Sequence, residues 1–209
     1  MNDSWFETDT TLAALRAGDT AVFTQLVAHY HRRLVTFAAT LVATALAEEA
    51  VQDAWLAVWR TLPGFAERAT LKTWLYTIVR NSCLHCLRRD KRLRTVAIDA
   101  ELHHDGIDGW FAAAFAADGA WSQAPPIWHL HSPEALLEEQ QLQNCLAQHI
   151  DGLPALQRSV FQLRDIEQLP MAEICNILEL SASNARVLLH RARLRLQRVI
   201  DHYQETGEC

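Results

Sequence analysis

The sequence predicts an all-α fold: two small helical domains, an N-terminal helical bundle and a C-terminal helix-turn-helix domain, joined by a tryptophan-containing linker. Three observations lead there. Apolar residues recur at three- and four-residue steps over most of the 209 residues, the spacing that lines one face of a helix. Period-two alternation is almost absent, so no sheet is expected. Between Thr95 and Ser132 the helical period is lost, Gly and Pro enter, and Trp110, Trp121 and Trp128 appear. The expected divisions are therefore 1–94, a linker at 95–133, and 134–209.

The N-terminal domain opens with a helical region over residues 10–43. Val22, Phe23, Leu26, Val27, Tyr30, Leu34, Phe37 and Leu41 keep helical spacing, and Gly18–Asp19 marks a break, with Asp19 or Thr20 as a cap. A second helix is expected over about 46–61. Leu46, Ala50, Val51, Ala54, Trp55 and Val58 form its inward stripe, and Glu48, Glu49, Gln52, Asp53 and Trp59 lie on or beside the open face. Pro63–Gly64 ends it, and a loop runs to Ala69. A third helix starts near Thr70, with Leu71, Trp74, Leu75, Ile78, Val79 and Leu87 inward. Its outer side carries Lys72, Arg80, Asn81, Arg88 and Arg89.

In the C-terminal domain, Ser132–Pro133–Glu134 reads as an N-cap followed by Pro at the first helical position. Leu136, Leu137, Leu142, Cys145, Leu146 and Ile150 define one helix. Gly152–Leu153–Pro154 breaks it, and the next runs from Pro154 to about Asp165. Pro170–Leu178 makes a short amphipathic helix, and Glu179–Leu180–Ser181 is a turn. The stretch Leu180–Val199 then reads as one helix with two faces. Ala185, Leu188, Leu189, Ala192, Leu196 and Val199 form an apolar stripe. Arg186, His190, Arg193 and Gln197 fall on another line, and Ser181 sits at the N-cap position. The final DHYQETGEC is expected to fray. Two helices joined by a three-residue turn, the second one basic, match the helix-turn-helix used for major-groove reading. Taken alone, the same stretch also reads as a solvated basic face on a packing helix.

Charge distribution separates the segments further. The net charge is −6. Residues 72–94 nonetheless carry seven basic groups and one acidic, and residues 180–198 carry five basic and none acidic. Residues 95–157 hold nine acidic groups and no Lys or Arg. Phosphate contact depends on the local field, so the two basic segments are candidate nucleic-acid footprints, while the acidic middle would be repelled from DNA.

Other classes find less support. No apolar run approaches the ~20 residues needed to span a bilayer. The N-terminus lacks a basic segment followed by an apolar one, so no signal peptide is expected and the cytoplasm is the expected compartment. Cys83, Cys86, Cys145, Cys175 and Cys209 are scattered, which suits reduced thiols better than a disulfide framework. Cys83-Leu84-His85-Cys86, His103-His104 and His129-Leu130-His131 contain ligand-type residues without the paired spacings of structural zinc, so no metal or cofactor is expected. No nucleophile–base set or Gly-rich phosphate loop stands out, and an enzyme is not expected.

Two stretches carry a family resemblance. AEEAVQDAWLAVWRTLPGFAERATLKTWLYTIVRNSCLHCLRR (47–89) resembles the promoter-melting domain of bacterial RNA polymerase sigma factors of the sigma-70 family, extracytoplasmic-function (ECF) group. LPALQRSVFQLRDIEQLPMAEICNILELSASNARVLLHRARLRL (153–196) resembles the same family's other DNA-binding domain. The resemblance implies a dissociable specificity subunit with no catalysis of its own. Its partners would be core RNA polymerase, promoter DNA and an anti-sigma factor. Glu48, Glu49, Gln52, Asp53 and Trp59 would face the clamp helices of the largest polymerase subunit, and the C-terminal domain would meet the flap of the second-largest.

The loop at 64–70 with Phe65, Lys72, Arg80 and Asn81 would handle the −10 element. Arg88, Arg89, Lys91, Arg92 and Arg94 would contact phosphates. Ser183, Asn184, Arg186, His190 and Arg191 would read the −35 element, and Arg158 would hold a phosphate. The chain departs from the family pattern with Ser-Asn-Ala at 183–185, Val-Leu at 187–188 and Pro170 before the first helix of the motif. The competing expectation is a helix-turn-helix regulator that acts without core polymerase.

Overall fold

The computed structural model describes residues 2–89 and 133–209. The linker tryptophans, Lys91, Arg92 and Arg94, and His103, His104, His129 and His131 lie outside these residues. All regular structure among the described residues is helical, and it falls into two compact units. The first combines the N-terminal helices with Gln162–Leu180; the second combines residues 133–161 with Ser181–Cys209. No helix among the described residues is long and apolar enough to cross a membrane.

The first unit begins with a short helix, α1 (Asp3–Phe6), followed by α2 (Asp9–Arg16). Gly18 stands at φ 80, a left-handed conformation that glycine adopts without steric cost. The break expected at Gly18–Asp19 therefore divides the 10–43 region. Asp19 then caps α3 (Thr20–Leu41), accepting from the N–H groups of Ala21 and Val22 at 2.9 and 3.1 Å. After α4 (Thr44–Thr61) comes a single 3₁₀ turn, Leu62–Gly64.

The next helix, α5 (Leu71–Arg89), is capped from a distance. The Glu7 carboxylate accepts from the N–H groups of Leu71 and Lys72 at 3.2 and 3.3 Å, satisfying donors the helix cannot pair itself. The core lies between α3, α4 and α5, with Leu26, Leu34, Phe37, Ala50, Val51 and Leu75 almost fully buried. On α5, Tyr76, Cys83 and Cys86 point inward with Leu71, Leu75 and Val79, whereas Trp74, Ile78 and Leu87 are half-buried.

The same unit contains one turn of π-helix, Gln162–Ile166, and α8 (Met171–Leu178), counting α6 and α7 in the second unit. The helix expected over 154–165 therefore loses its α register at Gln162. Leu163, Leu169, Ile174 and Ile177 are buried here. Pro170 is itself the N-cap of α8: its carbonyl accepts from Glu173 and Ile174, and no side chain caps the helix. Gln168 and Glu179 adopt left-handed φ values of 58 and 55, Glu179 as the C-cap of α8.

The second unit holds α6 (Pro133–Asp151), α7 (Ala155–Phe161) and α9 (Ala182–Thr206). Leu153, Ala192 and Leu196 form its core with Leu146, Ile150 and Phe161 around them. Two expectations are corrected here. The terminal DHYQETGEC does not begin a frayed tail: α9 continues to Thr206 and is capped by Gly207 at φ 70. Arg193, placed by spacing on the open line, is 5 % exposed. The neighbours of α9 cover a wider arc than its apolar stripe alone suggests.

Candidate nucleic-acid interface

The basic helix α9 starts where the sequence placed it. The Ser181 hydroxyl accepts from the Asn184 N–H at 3.2 Å and closes the first turn. Ser183 and Arg186 are exposed, and Asn184, His190 and Arg191 are half-buried. Leu188 is buried, so the Val-Leu pair divides: only Val187, 45 % exposed, lies on the open surface beside Arg186. The polar surface of this helix end is therefore narrow, interrupted by one apolar side chain. Arg158, on α7, donates to the Asp151 backbone carbonyl at 3.0 Å and pairs with its carboxylate at 3.5 Å.

In the first unit the loop residues 64–69 and Trp74 enclose an open cleft of about 380 Å³, lined by Thr61, Gly64, Phe65, Ala66, Arg68 and Trp74. Phe65 is buried, its ring 4.8 Å from that of Trp74. Arg16 holds the loop in place: its guanidinium donates to the Phe65 carbonyl at 2.8 Å, pairs with Glu67 and lies over the Phe65 ring. An aromatic floor and a basic rim suit an unstacked nucleotide, whose base offers a π-face and whose backbone offers a phosphate.

Beside it the outer side of α5 is occupied by acidic groups. Lys72 Nζ donates to the Asp3 carboxylate at 2.8 Å and to the Glu167 backbone carbonyl at 2.6 Å. Arg33 completes the network, bridging Asp3 and Glu167. The hydrogen bonds from Arg33 hold the Asp3 carboxyl well below the usual carboxylate range, outweighing its burial. Burial pushes Glu167 upward, yet the hydrogen bonds and charges of Arg33 and Lys72 win and leave it below its ordinary value.

Burial raises the Tyr30 and Tyr76 phenols on the same side, with the carboxylates of Asp3 and Glu167 respectively adding to the shift. Further along α5, Arg80 pairs with Glu179 at 2.7 Å and also donates to the Asn81 side chain at 3.3 Å. Arg89 pairs with Glu49, and Arg88 is exposed. The −10 candidates Lys72 and Arg80 are thus engaged within the unit, while Asn81 faces solvent.

The open face of α4 presents a mixed surface. Glu48 and Gln52 are exposed, Glu49 and Asp53 half-buried, and Trp59 is 39 % exposed with its ring 4.7 Å from Phe23. His31 approaches Glu48 at 3.4 Å. Leu56, 55 % exposed, lies one turn from both Gln52 and Trp59 and adds an apolar centre to this face. Sequence spacing left Leu56 unremarked; its position off the inward stripe of α4 was the available signal.

Spacing gave no signal for the roles of Asp3, Glu7, Glu167 and Glu179, because their partners lie far away in the chain. The expectation of five reduced thiols is also corrected. Cys145 and Cys209 form a disulfide across a separation of 64 residues, since α6 and the end of α9 meet. Cys83, Cys86 and Cys175 are free, and burial pushes the Cys83 thiol up to about 12.

The loop cleft of the first unit and the capped basic helix of the second are thus two candidate nucleic-acid surfaces on an all-helical chain. Comparison places it further. Residues 26–93 match the family description Sigma-70 region 2, and residues 143–196 match Sigma-70, region 4. A probable RNA polymerase sigma factor of Haemophilus influenzae is 30 % identical over 166 residues, covering 79 % of this chain and 82 % of that protein. The ECF RNA polymerase sigma-E factor of Escherichia coli K12 is 26 % identical over 86 % of each chain.

Among solved structures, the Bartonella quintana sigma factor RpoE in complex with the anti-sigma factor NepR aligns with a TM-score of 0.51 at 22 % identity, covering 86 % of this chain and 96 % of that one. CnrH, in complex with the cytosolic domain of CnrY, gives the same score at 20 % identity over 92 % and 96 %. These last two establish a shared fold. The chain belongs to the RNA polymerase sigma factor family, in its extracytoplasmic-function group.

Proposed function

We propose that this chain binds core RNA polymerase in the cytoplasm and directs initiation from promoters with matching −10 and −35 elements, carrying no catalytic chemistry of its own. In this reading residues 1–94 act as region 2, residues 134–209 as region 4, and 95–133 as the connector. The observation that carries it is the presence of both sigma regions, in order, in one chain whose α4 face keeps acids, an amide, Leu56 and Trp59 at its surface. Such a face suits an Arg-bearing coiled coil, where charge-assisted hydrogen bonds surround an apolar contact. The clamp helices of the largest subunit are that partner, and the flap of the second-largest receives the C-terminal unit.

The loop cleft beside Phe65 takes an unstacked −10 base, with Asn81 able both to donate to and accept from base edges. Lys72 and Arg80 reach DNA only by exchanging Asp3, Glu167 and Glu179 for phosphate. At the −35 element Ser183, Asn184, Arg186, His190 and Arg191 read the groove, and Arg158 holds a phosphate. An anti-sigma factor holds the protein inactive, as NepR is found in complex with the Bartonella sigma factor.

Transcription in vitro tests the whole. Core polymerase plus this protein should yield transcripts from a cognate promoter that core alone does not. Binding to that promoter without any association with core would instead favour a simple regulator.

A further inference from the structure

The second unit brings together three soft ligand residues that the DNA reading does not use. Cys145 and His149 stand one turn apart on α6, so their side chains leave the same face of that helix. Gly207 ends α9 in a left-handed conformation, its N–H donating to the Tyr203 carbonyl at 2.8 Å, and the chain turns back so that Cys209 reaches α6. Cys145 Sγ and Cys209 Sγ are bonded, and His149 Nδ1 lies 3.8 Å from each of them. Cys145 is buried, whereas His149 and Cys209 are exposed, so the cluster opens to solvent on one side.

We propose that, with the disulfide reduced, Cys145, His149 and Cys209 bind a zinc-class cation. The ligand atoms lie within 4.8 Å of one another. Zinc with bonds of about 2.3 Å to sulfur and 2.0–2.1 Å to nitrogen separates a tetrahedral N,S ligand pair by roughly 3.6 Å. His149 Nδ1 already stands close to that distance from both sulfurs. Reduction releases the sulfurs to move apart to the roughly 3.8 Å that two thiolates on one zinc require, and the exposed Cys209 supplies the movement. Nδ1 also lies 3.0 Å from the Cys145 carbonyl oxygen, so the cation takes the place of the proton it would donate there. The fourth position faces solvent and is left to water.

Cation and disulfide exclude each other, because both draw on the same sulfur electron pairs. Two zinc-bound thiolates, one hydrogen peroxide and two protons give one disulfide, two waters and a released zinc ion. The thiolates are oxidised, the peroxide oxygens reduced.

The test uses the full chain, reduced with a phosphine, freed of reductant under nitrogen and titrated with zinc against a chromogenic chelator. One zinc per chain is expected, and cobalt in its place should give a thiolate charge-transfer band. Cys209→Ser and His149→Ala should each weaken zinc binding by roughly tenfold or more, Cys175→Ser should leave it unchanged, and peroxide oxidation should abolish it. Because Cys209 and His149 are exposed, these two variants should melt like the reduced parent. A reduced chain that holds zinc no better than Cys209→Ser would overturn the proposal, including one that only forms the disulfide. So would a zinc that survives the combined variant Cys209→Ser/His149→Ala.

Discussion

Lys72 Nζ lies 2.6 Å from the backbone carbonyl oxygen of Glu167 and 3.1 Å from its carboxylate, although 95 residues separate the two in the chain. A positive group that sequence assigns to DNA is therefore built into an internal ion network with Arg33 and Asp3. The Glu167 side chain is only 2 % exposed, so the network has real energetic weight, unlike a surface pair.

Glu167→Gln removes a charge that Arg33 and Lys72 share. Removing one member of a buried pair costs about 3–5 kcal/mol, and the remaining Asp3 carboxylate reduces that to about 2–3 kcal/mol here. Urea unfolding measures it. A loss below about 1 kcal/mol would show that the network contributes no more than an exposed pair.

Acid should weaken the same network. Asp3 and Glu167 both have folded values below their ordinary ones. A depressed carboxylate contributes stability that is fully present above its unfolded value, about 3.9 for Asp and 4.3 for Glu, and is lost as pH falls through the folded value. The melting temperature of the parent should therefore fall more steeply below about pH 4 than that of Asp3→Asn/Glu167→Gln. Parallel curves for the two proteins would contradict the network's role.

On α9, Arg186 and Arg193 should separate cleanly. Arg186 is exposed in the first turns of the helix, where the proposed −35 contacts fall, and Arg193 is buried. Arg186→Ala should cost about 1–3 kcal/mol of −35-dependent promoter binding with the melting temperature unchanged. Arg193→Ala should lower the melting temperature. Equal loss of binding on promoters with and without a −35 element would show that Arg186 reads no base.

Leu56→Asp should weaken association with core polymerase by roughly tenfold, as expected for an apolar residue at the centre of an interface. Its 55 % exposure means that stability should change little. Fluorescence anisotropy of labelled protein against core measures the affinity, and unchanged binding would move the docking surface elsewhere.

Thiol reactivity should follow burial. Cys83 and Cys86 are buried, and burial raises both thiols, Cys83 to about 12, while Cys175 is half-buried. Thiolate is the reactive form, so brief iodoacetamide treatment of native protein should label Cys175 before Cys83 and Cys86. Mass spectrometry of peptides reads the order; early labelling of Cys83 would mean that the α5 core opens readily.

Much was legible because helices are local. The stripe Ala185, Leu188, Leu189, Ala192 and Leu196, the break at Gly18, and the caps at Asp19 and Ser181 all follow from spacing within a few residues. Arg193 was misread because periodicity marks the centre of a buried stripe and leaves its width to the neighbours. Phe65 was legible as a loop aromatic, but its burial against Trp74 depends on Arg16, nearly fifty positions earlier.

The sequence by itself determined the helical class, the two basic segments and the capped, exposed start of α9, since each is written in side-chain periodicity, capping residues or local charge. The order of the two sigma regions was legible only through the resemblance of residues 47–89 and 153–196 to that family. Only the tertiary structure decided that Lys72 meets Glu167, that Arg80 meets Glu179, that Glu7 caps α5 and that Cys209 meets Cys145. Those pairings join residues 64 or more positions apart. They depend on where whole helices come to rest, which short-range periodicity does not encode.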